Sequence, residues 1–333
     1  MNIKQNIPLA PYTTFGIGGN AEFFAEVASV EELAEVVKFA REDKLPIFVL
    51  GGGSNILVSD GGFDGLVIKI DIHGINCINT KAGFRVYAGV GEMWDDVVSK
   101  AVEMNAGGLE NLSLIPGTVG GAVYQNIGAY GVELKDVLAS VSAYDIETGN
   151  IIRLSNKECG FEYRSSIFKK NKNSIILEAE LLLSKNNKLN LSYPDIQKRF
   201  GGLKPTINEV RQAVIEIRRN KLPYPEEVGN AGSFFKNPIV KISNYQLLIS
   251  KFPDLKGRDL GDGLIKLSAA QLIEKYGFKG KGFENVGISE KHALVLVNHG
   301  KGTAKELIDL AETVKEAVET KFGVELEMEV EQI

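Results

Sequence analysis

Three stretches of the chain begin with a polar start signal and continue with apolar residues at helical spacing. Ser29-Val-Glu-Glu32 has the form of a capping box, in which two side chains satisfy free backbone N–H groups, and Leu33, Val36, Val37 and Ala40 follow on one face. Thr206-x-x-Glu209, just after Pro205, leads into Val210, Val214 and Ile217. Thr303-x-x-Glu306 opens a helix to Lys321. Further helices are expected over Glu92–Met104 and Ser268–Tyr276. Short apolar runs predict strands at Ile47–Leu50, Leu57-Val58, Leu66–Ile68, Phe84–Tyr87, Val137–Tyr144, Ile175–Leu183 and Ala293–Val297. Val324–Val330 alternates apolar and acidic residues, as a half-buried strand does, and Lys185–Lys188 reads as a hairpin tip. Helices and strands in this order predict an α+β protein without internal repeats.

Leu45-Pro46 ends the first helix, and the strand after it runs straight into Gly51-Gly-Gly-Ser-Asn55. A small α/β unit is therefore expected over residues 1–70, with the C-terminal strand 324–333 returning to it. A second unit, 71–204, holds the glycine-rich stretch Ile115–Gly131, and a third, 205–323, begins with the helix after Pro205.

Composition narrows the partners. Hydrophobic residues make up 44% and charged residues 24% of 333, which is ordinary for a soluble globular protein. The formal net charge of −5 argues against a nucleic-acid binder, which needs a basic face for phosphates. No apolar run reaches the roughly 18 residues of a membrane span, and Met1–Tyr12 is polar and proline-broken, without a signal-peptide core. The expectation is a cytoplasmic protein, working as a monomer. Cys77 and Cys159 are far apart, and His73, His292 and His299 are scattered, so neither a disulfide scaffold nor a metal site is expected.

Glycine clusters carry the candidate chemistry. Gly51–Asn55 follows a strand, where backbone amides can cradle a pyrophosphate, yet it lacks the GxGxxG spacing of a Rossmann loop. Several such clusters in the first 131 residues point to a bulky dinucleotide. Gly229-Asn-Ala-Gly-Ser-Phe-Phe-Lys-Asn-Pro238 packs Ser233, Lys236 and Asn237 beside Phe234 and Phe235. That mixture suits a half-buried site wall with a fixed hydroxyl, and equally a turn into an ordinary strand.

Gly108–Gly131 and Gly229–Pro238, together with Thr14–Ile17, Gly51–Asn55, Tyr163–Phe168, Lys221-Leu-Pro223 and His292–Asn298, stand in the order and spacing of one family. Over Pro11–Val330 the chain resembles the type I UDP-N-acetylenolpyruvoylglucosamine reductases, also called UDP-N-acetylmuramate dehydrogenases. The resemblance implies a two-subdomain FAD-binding fold of the vanillyl-alcohol-oxidase (PCMH) type plus a C-terminal α+β substrate-binding domain. It also implies that NADPH reduces FAD and that the flavin N5 passes a hydride to the enolpyruvyl ether of a UDP-sugar, in peptidoglycan precursor synthesis. No histidine stands in Gly51–Asp60 or Gly108–Gly131, so the FAD is expected to be non-covalent.

Residue by residue, the resemblance gives FAD contacts at Gly51, Gly52, Gly53, Ser54, Asn55, Ile115, Pro116, Gly117, Gly121, Asn126, Gly128 and Tyr130. It implies that Arg164 holds the substrate carboxylate, that Ser233 protonates the enol carbon and that Glu329 assists at the enolate. Tyr193, Lys221, Asn237 and His292 are implied in substrate holding. On the residues alone, Arg164 equally reads as a partner of Glu162, and Glu329, among Glu325, Glu327 and Glu331, as part of a solvated acidic face. The pattern departs from the family at Tyr224 and Glu331, which bear on the geometry around Lys221 and Glu329. Two other readings stand beside this one: another FAD-linked dehydrogenase or oxidase of the same fold, and a flavin- or nucleotide-sugar-binding protein without turnover.

Overall fold

The computed structural model describes residues 2–185 and 189–333. Most of the expected Lys185–Lys188 hairpin tip lies outside them. The chain groups into two compact units. One comprises 1–7, 21–52 and 64–218; the other comprises 8–20, 53–63 and 219–333.

The first unit contains a four-stranded sheet in the order Ile3–Pro8, Asn20–Val27, Phe63–Ile70, Ile47–Leu50. Ile47–Leu50 lies parallel to Phe63–Ile70, with Ile47 opposite Leu66 and Leu50 opposite Lys69. The helix Val30–Glu42 buries Leu33, Val36, Val37 and Ala40 in the same core as Ala25, Val27, Leu66 and Ile68. Burying one such aliphatic side chain is worth about 1.5–3 kcal/mol. Packing therefore outweighs the marginal stability of a helix this short. Its start differs slightly from a symmetric capping box: Ser29 Oγ accepts the Glu32 N–H, but Glu32 Oε2 accepts the Ala28 N–H.

An antiparallel five-stranded sheet completes this unit, in the order Ile151–Ser155, Leu138–Asp145, Ser174–Leu183, Phe84–Gly89, Ile75–Asn79. The helix Val119–Tyr124 packs against Ser174–Leu183. Glu180 is buried within the sheet, where Ser140, Tyr87, Arg85 and Arg153 all bond its carboxylate. Burial would raise its pKa, but those donors and charges hold it below the usual carboxylate value.

The second unit is built on a core containing Phe15, Ile17, Phe234, Phe235, Leu294, Leu296 and Leu307. It carries the sheet Ile239–Lys241, Leu264–Leu267, Gly257–Gly261 and the antiparallel pair Val286–Ile288 with Leu296–Asn298. The helix Ala304–Phe322 opens with both reciprocal bonds of the Thr303–Glu306 capping box. Asp60 adds a bidentate cap to the N–H groups of Ala304 and Lys305.

The expected strand 324–330 is not a strand. Its alternation is real, since Val324, Leu326 and Val330 are buried while Glu325 and Glu327 are exposed. Ladder pairing reduces to a bridge between Met328 and Phe235, and the strand proper is Glu331–Gln332, parallel to Ile56–Leu57. No helix of the described residues is long and apolar enough to cross a membrane.

Candidate active site

In the first unit, two glycine loops meet backbone to backbone. A Cβ on Gly52 would lie 2.7 Å from Gly117 Cα, and one on Gly51 would lie 2.8 Å from Thr118 Oγ1. A side chain at Gly52 would have to move the other loop, and one at Gly51 would have to displace the Thr118 hydroxyl. Around Gly121 there is open space. Ile115 packs against the hydrophobic core and anchors that loop. The turn before it is fixed from outside, because Leu114 stands at φ 59° and its N–H donates to Asp95 Oδ1 at 2.5 Å. Asp95 also takes a bidentate bond from Arg211 at 2.7 and 2.9 Å. Burial works against the Asp95 charge, but Arg211 and the Leu114 N–H prevail and hold its pKa below 3.8.

Asn126, fully buried at φ 46°, spends its side chain within the protein. Its Nδ2 donates to Glu133 Oε2 and to the Glu162 carbonyl, each at 3.0 Å, and its Oδ1 accepts the Lys135 N–H at 3.0 Å. These bonds tie the glycine-rich stretch to the turn that carries Arg164. Arg164, itself at φ 56°, donates from Nη2 to the Gly128 carbonyl at 2.7 Å, with its guanidinium over the Tyr163 ring. Glu162 takes a bond from Lys170 at 2.7 Å. A Cβ on Gly128 would lie 3.0 Å from Arg164 Nη1, so the missing side chain lets the guanidinium lie across the backbone.

Tyr130 and Tyr193 pack edge to face, ring centroids 5.0 Å apart. The structure therefore joins a residue expected at the cofactor to one expected at the substrate. Burial pushes the Tyr130 hydroxyl up to about 12, against the opposing charge of Arg218. Arg218, absent from the sequence-predicted set, also donates from Nε to the Leu114 carbonyl at 3.2 Å. Its only sequence signal is the basic end of the helix Ile207–Lys221.

The second unit holds Gly53, Ser54, Asn55, Lys221, Ser233, Asn237, His292 and Glu329. Gly53 stands at φ 62°, and a Cβ there would come within 2.0 Å of the Tyr12 carbonyl oxygen. Thr14 Oγ1 and its N–H both bond the Gly53 carbonyl. Asn55 Nδ2 donates to the Glu329 carbonyl at 3.2 Å, and the Asn55 carbonyl accepts the Glu331 N–H at 3.0 Å. The glycine loop and the C-terminal segment thus share one set of bonds.

Ser233 sits half-buried after a tight turn. Asn230 makes that turn: Oδ1 accepts the Gly232 N–H and Nδ2 donates to the Val228 carbonyl, both at 2.9 Å, with Gly232 at φ 68°. The chain beyond Ser233 runs beside 327–329, through Glu329 N–H to the Phe234 carbonyl at 2.8 Å and Lys236 N–H to the Glu327 carbonyl at 2.9 Å. Phe234 and Phe235 are core residues, and Lys236 pairs with the Glu327 carboxylate. The sequence shows the Asn230 amide in this motif but gives it no role, because only the turn reveals its use.

Asn237 Oδ1 accepts the Ala269 N–H at 3.0 Å at the start of the helix Ala269–Tyr276, which assigns Nδ2 as the donor end of its amide. His292 Nδ1 accepts the Leu294 N–H at 3.2 Å, which leaves the proton of the neutral ring on Nε2. Burial, then the charges of Lys221 and Lys279, lower the His292 pKa below 6.5. His292 is therefore a neutral donor near a cationic lysine.

Comparison with known proteins gives consistent matches. Residues 223–333 match the family described as UDP-N-acetylenolpyruvoylglucosamine reductase, C-terminal domain, and residues 21–155 match an FAD binding domain. The UDP-N-acetylenolpyruvoylglucosamine reductase of Flavobacterium johnsoniae is 43% identical over 99% of both chains. That of Pseudomonas aeruginosa is 42% identical over 99% of this chain and 98% of its own. The crystal structure of UDP-N-acetylenolpyruvylglucosamine reductase from Thermus caldophilus superposes with a TM-score of 0.71 at 26% identity, covering 100% of this chain and 99% of that one. p-Cresol methylhydroxylase shares the fold alone, with a TM-score of 0.51 at 12% identity over 95% of this chain and 84% of that one.

Proposed function

The chain belongs to the UDP-N-acetylenolpyruvoylglucosamine reductase family, and from that membership we infer how its residues divide the reaction. It is an FAD-containing oxidoreductase of peptidoglycan precursor synthesis. With NADPH it reduces the enolpyruvyl group of UDP-N-acetylglucosamine-enolpyruvate to give UDP-N-acetylmuramate. Bound FAD supplies the relay of hydride from NADPH to the enolpyruvyl alkene. Two observations in the first unit fit that group: the close backbone approach of Gly51, Gly52 and Gly117, and the buried Thr118 hydroxyl, which has no partner among the described residues.

Hydride addition to one alkene carbon leaves negative charge on the carbon that bears the carboxylate. Arg164, permanently charged and forked, holds that carboxylate. Its bond to Gly128 supports the reading by fixing the guanidinium. Ser233 Oγ gives the proton that completes the second C–H bond. A serine is a weak acid, so it donates only to a strongly basic carbon in a water-poor site. Glu329 assists as a protonated or arginine-bonded carboxyl, since a bare carboxylate would repel the enolate.

The observation that carries this assignment is the pairing of the Ser233 segment with the Glu329 segment, locked by the Asn230 turn and by Asn55. Lys221, Tyr193, the Asn237 amide and His292 Nε2–H are donors suited to a diphosphate. The protein acts as a monomer on this reading.

The test is NADPH oxidation by the purified, yellow protein with and without UDP-N-acetylglucosamine-enolpyruvate. Oxidation that does not depend on this substrate sinks the assignment.

A further inference from the structure

The first turn of the helix Trp94–Glu103 grips the segment Leu112–Gly117 at three points. The Trp94 indole N–H donates to the Leu112 carbonyl at 2.9 Å, and the Trp94 backbone N–H donates to the Gly117 carbonyl at 3.0 Å. Between them the Leu114 N–H donates to Asp95 Oδ1 at 2.5 Å. Only this middle bond is charge-assisted, and it falls on the one non-glycine residue of the segment with positive φ, Leu114 at 59°. Leucine does not favour that conformation; glycine or asparagine is the usual choice. The Leu114 peptide is held from its other side as well, because Arg218 donates to its carbonyl at 3.2 Å. Arg211, on the same helix Ile207–Lys221, forks onto both Asp95 oxygens at 2.7 and 2.9 Å. Arg211 is buried, and its planar fork fixes the direction in which the Asp95 carboxylate points. One left-handed non-glycine residue costs the energy of roughly a tenfold population ratio, and a bond to a charged acceptor outweighs it. The strained turn is thus imposed by an ion pair between two helices.

We propose that Asp95 and Arg211 are positioning residues for FAD: by holding Leu114 left-handed, they set the path along which Ile115–Gly117 meets the cofactor. This rests on the reading of Ile115, Pro116 and Gly117 as FAD contacts. Asp95 and Arg211 do not themselves touch the cofactor; they act through the Leu114 peptide. The pair therefore has two separable effects. It stabilises the fold, because Arg211 is a buried charge that needs a partner. It also preorganises the loop, and this second effect exists only while residue 114 resists a positive φ.

Asp95→Asn keeps the shape, removes the charge and turns an NH2 group towards a donor of Arg211 or Leu114. Leu114→Gly removes the resistance to positive φ. The wild type, both single variants and the double variant form a cycle. FAD dissociation is measured on dilution of each holoenzyme by the fluorescence of released flavin, and thermal midpoints are taken after flavin removal. Asp95→Asn should weaken FAD binding roughly tenfold when residue 114 is leucine. In the Leu114→Gly background the same change should cost no more than about threefold. The flavin-free midpoint should fall equally in both backgrounds, since Arg211 loses its partner in each. Arg211→Lys, which keeps the charge but breaks the fork, repeats the cycle should Asp95→Asn fail to fold.

Wild-type FAD affinity in Asp95→Asn overturns the proposal. So does an equal loss of affinity in both backgrounds, which would make the ion pair a general support of the fold with no action through Leu114. If the wild type itself holds no FAD, it is the reading of Ile115–Gly117 as a cofactor loop that fails.

Discussion

The Glu329 N–H donates to the Phe234 carbonyl at 2.8 Å, so the residue after Ser233 is directly paired with the glutamate assigned to the enolate. Backbone bonds join the two segments, and the Asn230 and Asn55 side chains brace them. Shifting one segment by a residue would exchange a buried phenylalanine for a polar neighbour.

Ser233→Ala removes the hydroxyl to which the proton transfer is assigned and leaves the backbone pairing intact. Reduction of bound flavin by NADPH should proceed at close to the wild-type rate in stopped flow. Product formation should fall by about 10²–10⁴, the usual worth of a positioned acid or base. Equal loss of both steps in a folded variant would remove the case for Ser233 as donor.

Gly128→Ala tests Arg164 without changing its charge. The added methyl would meet Arg164 Nη1 at 3.0 Å and Glu133 Cγ at 2.9 Å, so the guanidinium must shift. Turnover should drop on the order of 10²-fold, as for loss of one preorganised charge-stabilising donor. Because Gly128 is itself expected at the FAD, turnover is compared per bound flavin. Wild-type turnover in this variant would mean that Arg164 does not need its seat on Gly128.

Asn126→Ala leaves the Lys135 N–H without its partner, takes one of two donors from the Glu162 carbonyl and places alanine at φ 46°. An orphaned donor costs about 1–3 kcal/mol, and alanine in the left-handed region adds on the order of 1 kcal/mol. A total loss of roughly 3 kcal/mol in denaturant unfolding is expected, with Asn126→Gly less affected because it tolerates this backbone. Equal losses in both would exclude the backbone contribution.

The pH dependence of stability should bear the mark of His292. Its pKa lies below 6.5 in the folded protein, from burial first and the neighbouring lysines second. Below pH 6.5 the unfolded chain takes up a proton that the folded ring resists, so this contribution to stability is whole above that pH. It is lost as pH falls towards the folded pKa. His292→Gln should flatten the fall in unfolding free energy between about pH 7.5 and 5.5. An unchanged slope would assign the acid sensitivity elsewhere.

Local chemistry is what the sequence makes legible. Thr303 and Glu306 sit three residues apart and exchange the bonds their spacing predicts. The helix Ile242–Lys251 carries no comparable mark, since Lys241 makes no side-chain cap and Leu248 alone is buried. Val324–Val330 shows the limit of alternation, because one-sided burial alone does not supply a partner strand. At the site, Ser233 and Asn237 stand out by composition. Arg218 and Thr118 do not, because their meaning lies in a bond spanning 104 residues and in a hydroxyl without a partner among the described residues.

The 2.7 Å approach of a Gly52 Cβ to Gly117 Cα also limits how this chain can drift. Compensation between contacting residues requires one to shrink as the other grows, and neither of these has anything left to give up. A library randomised at both positions and selected for yellow colonies should return glycine twice, with no rescuing pair.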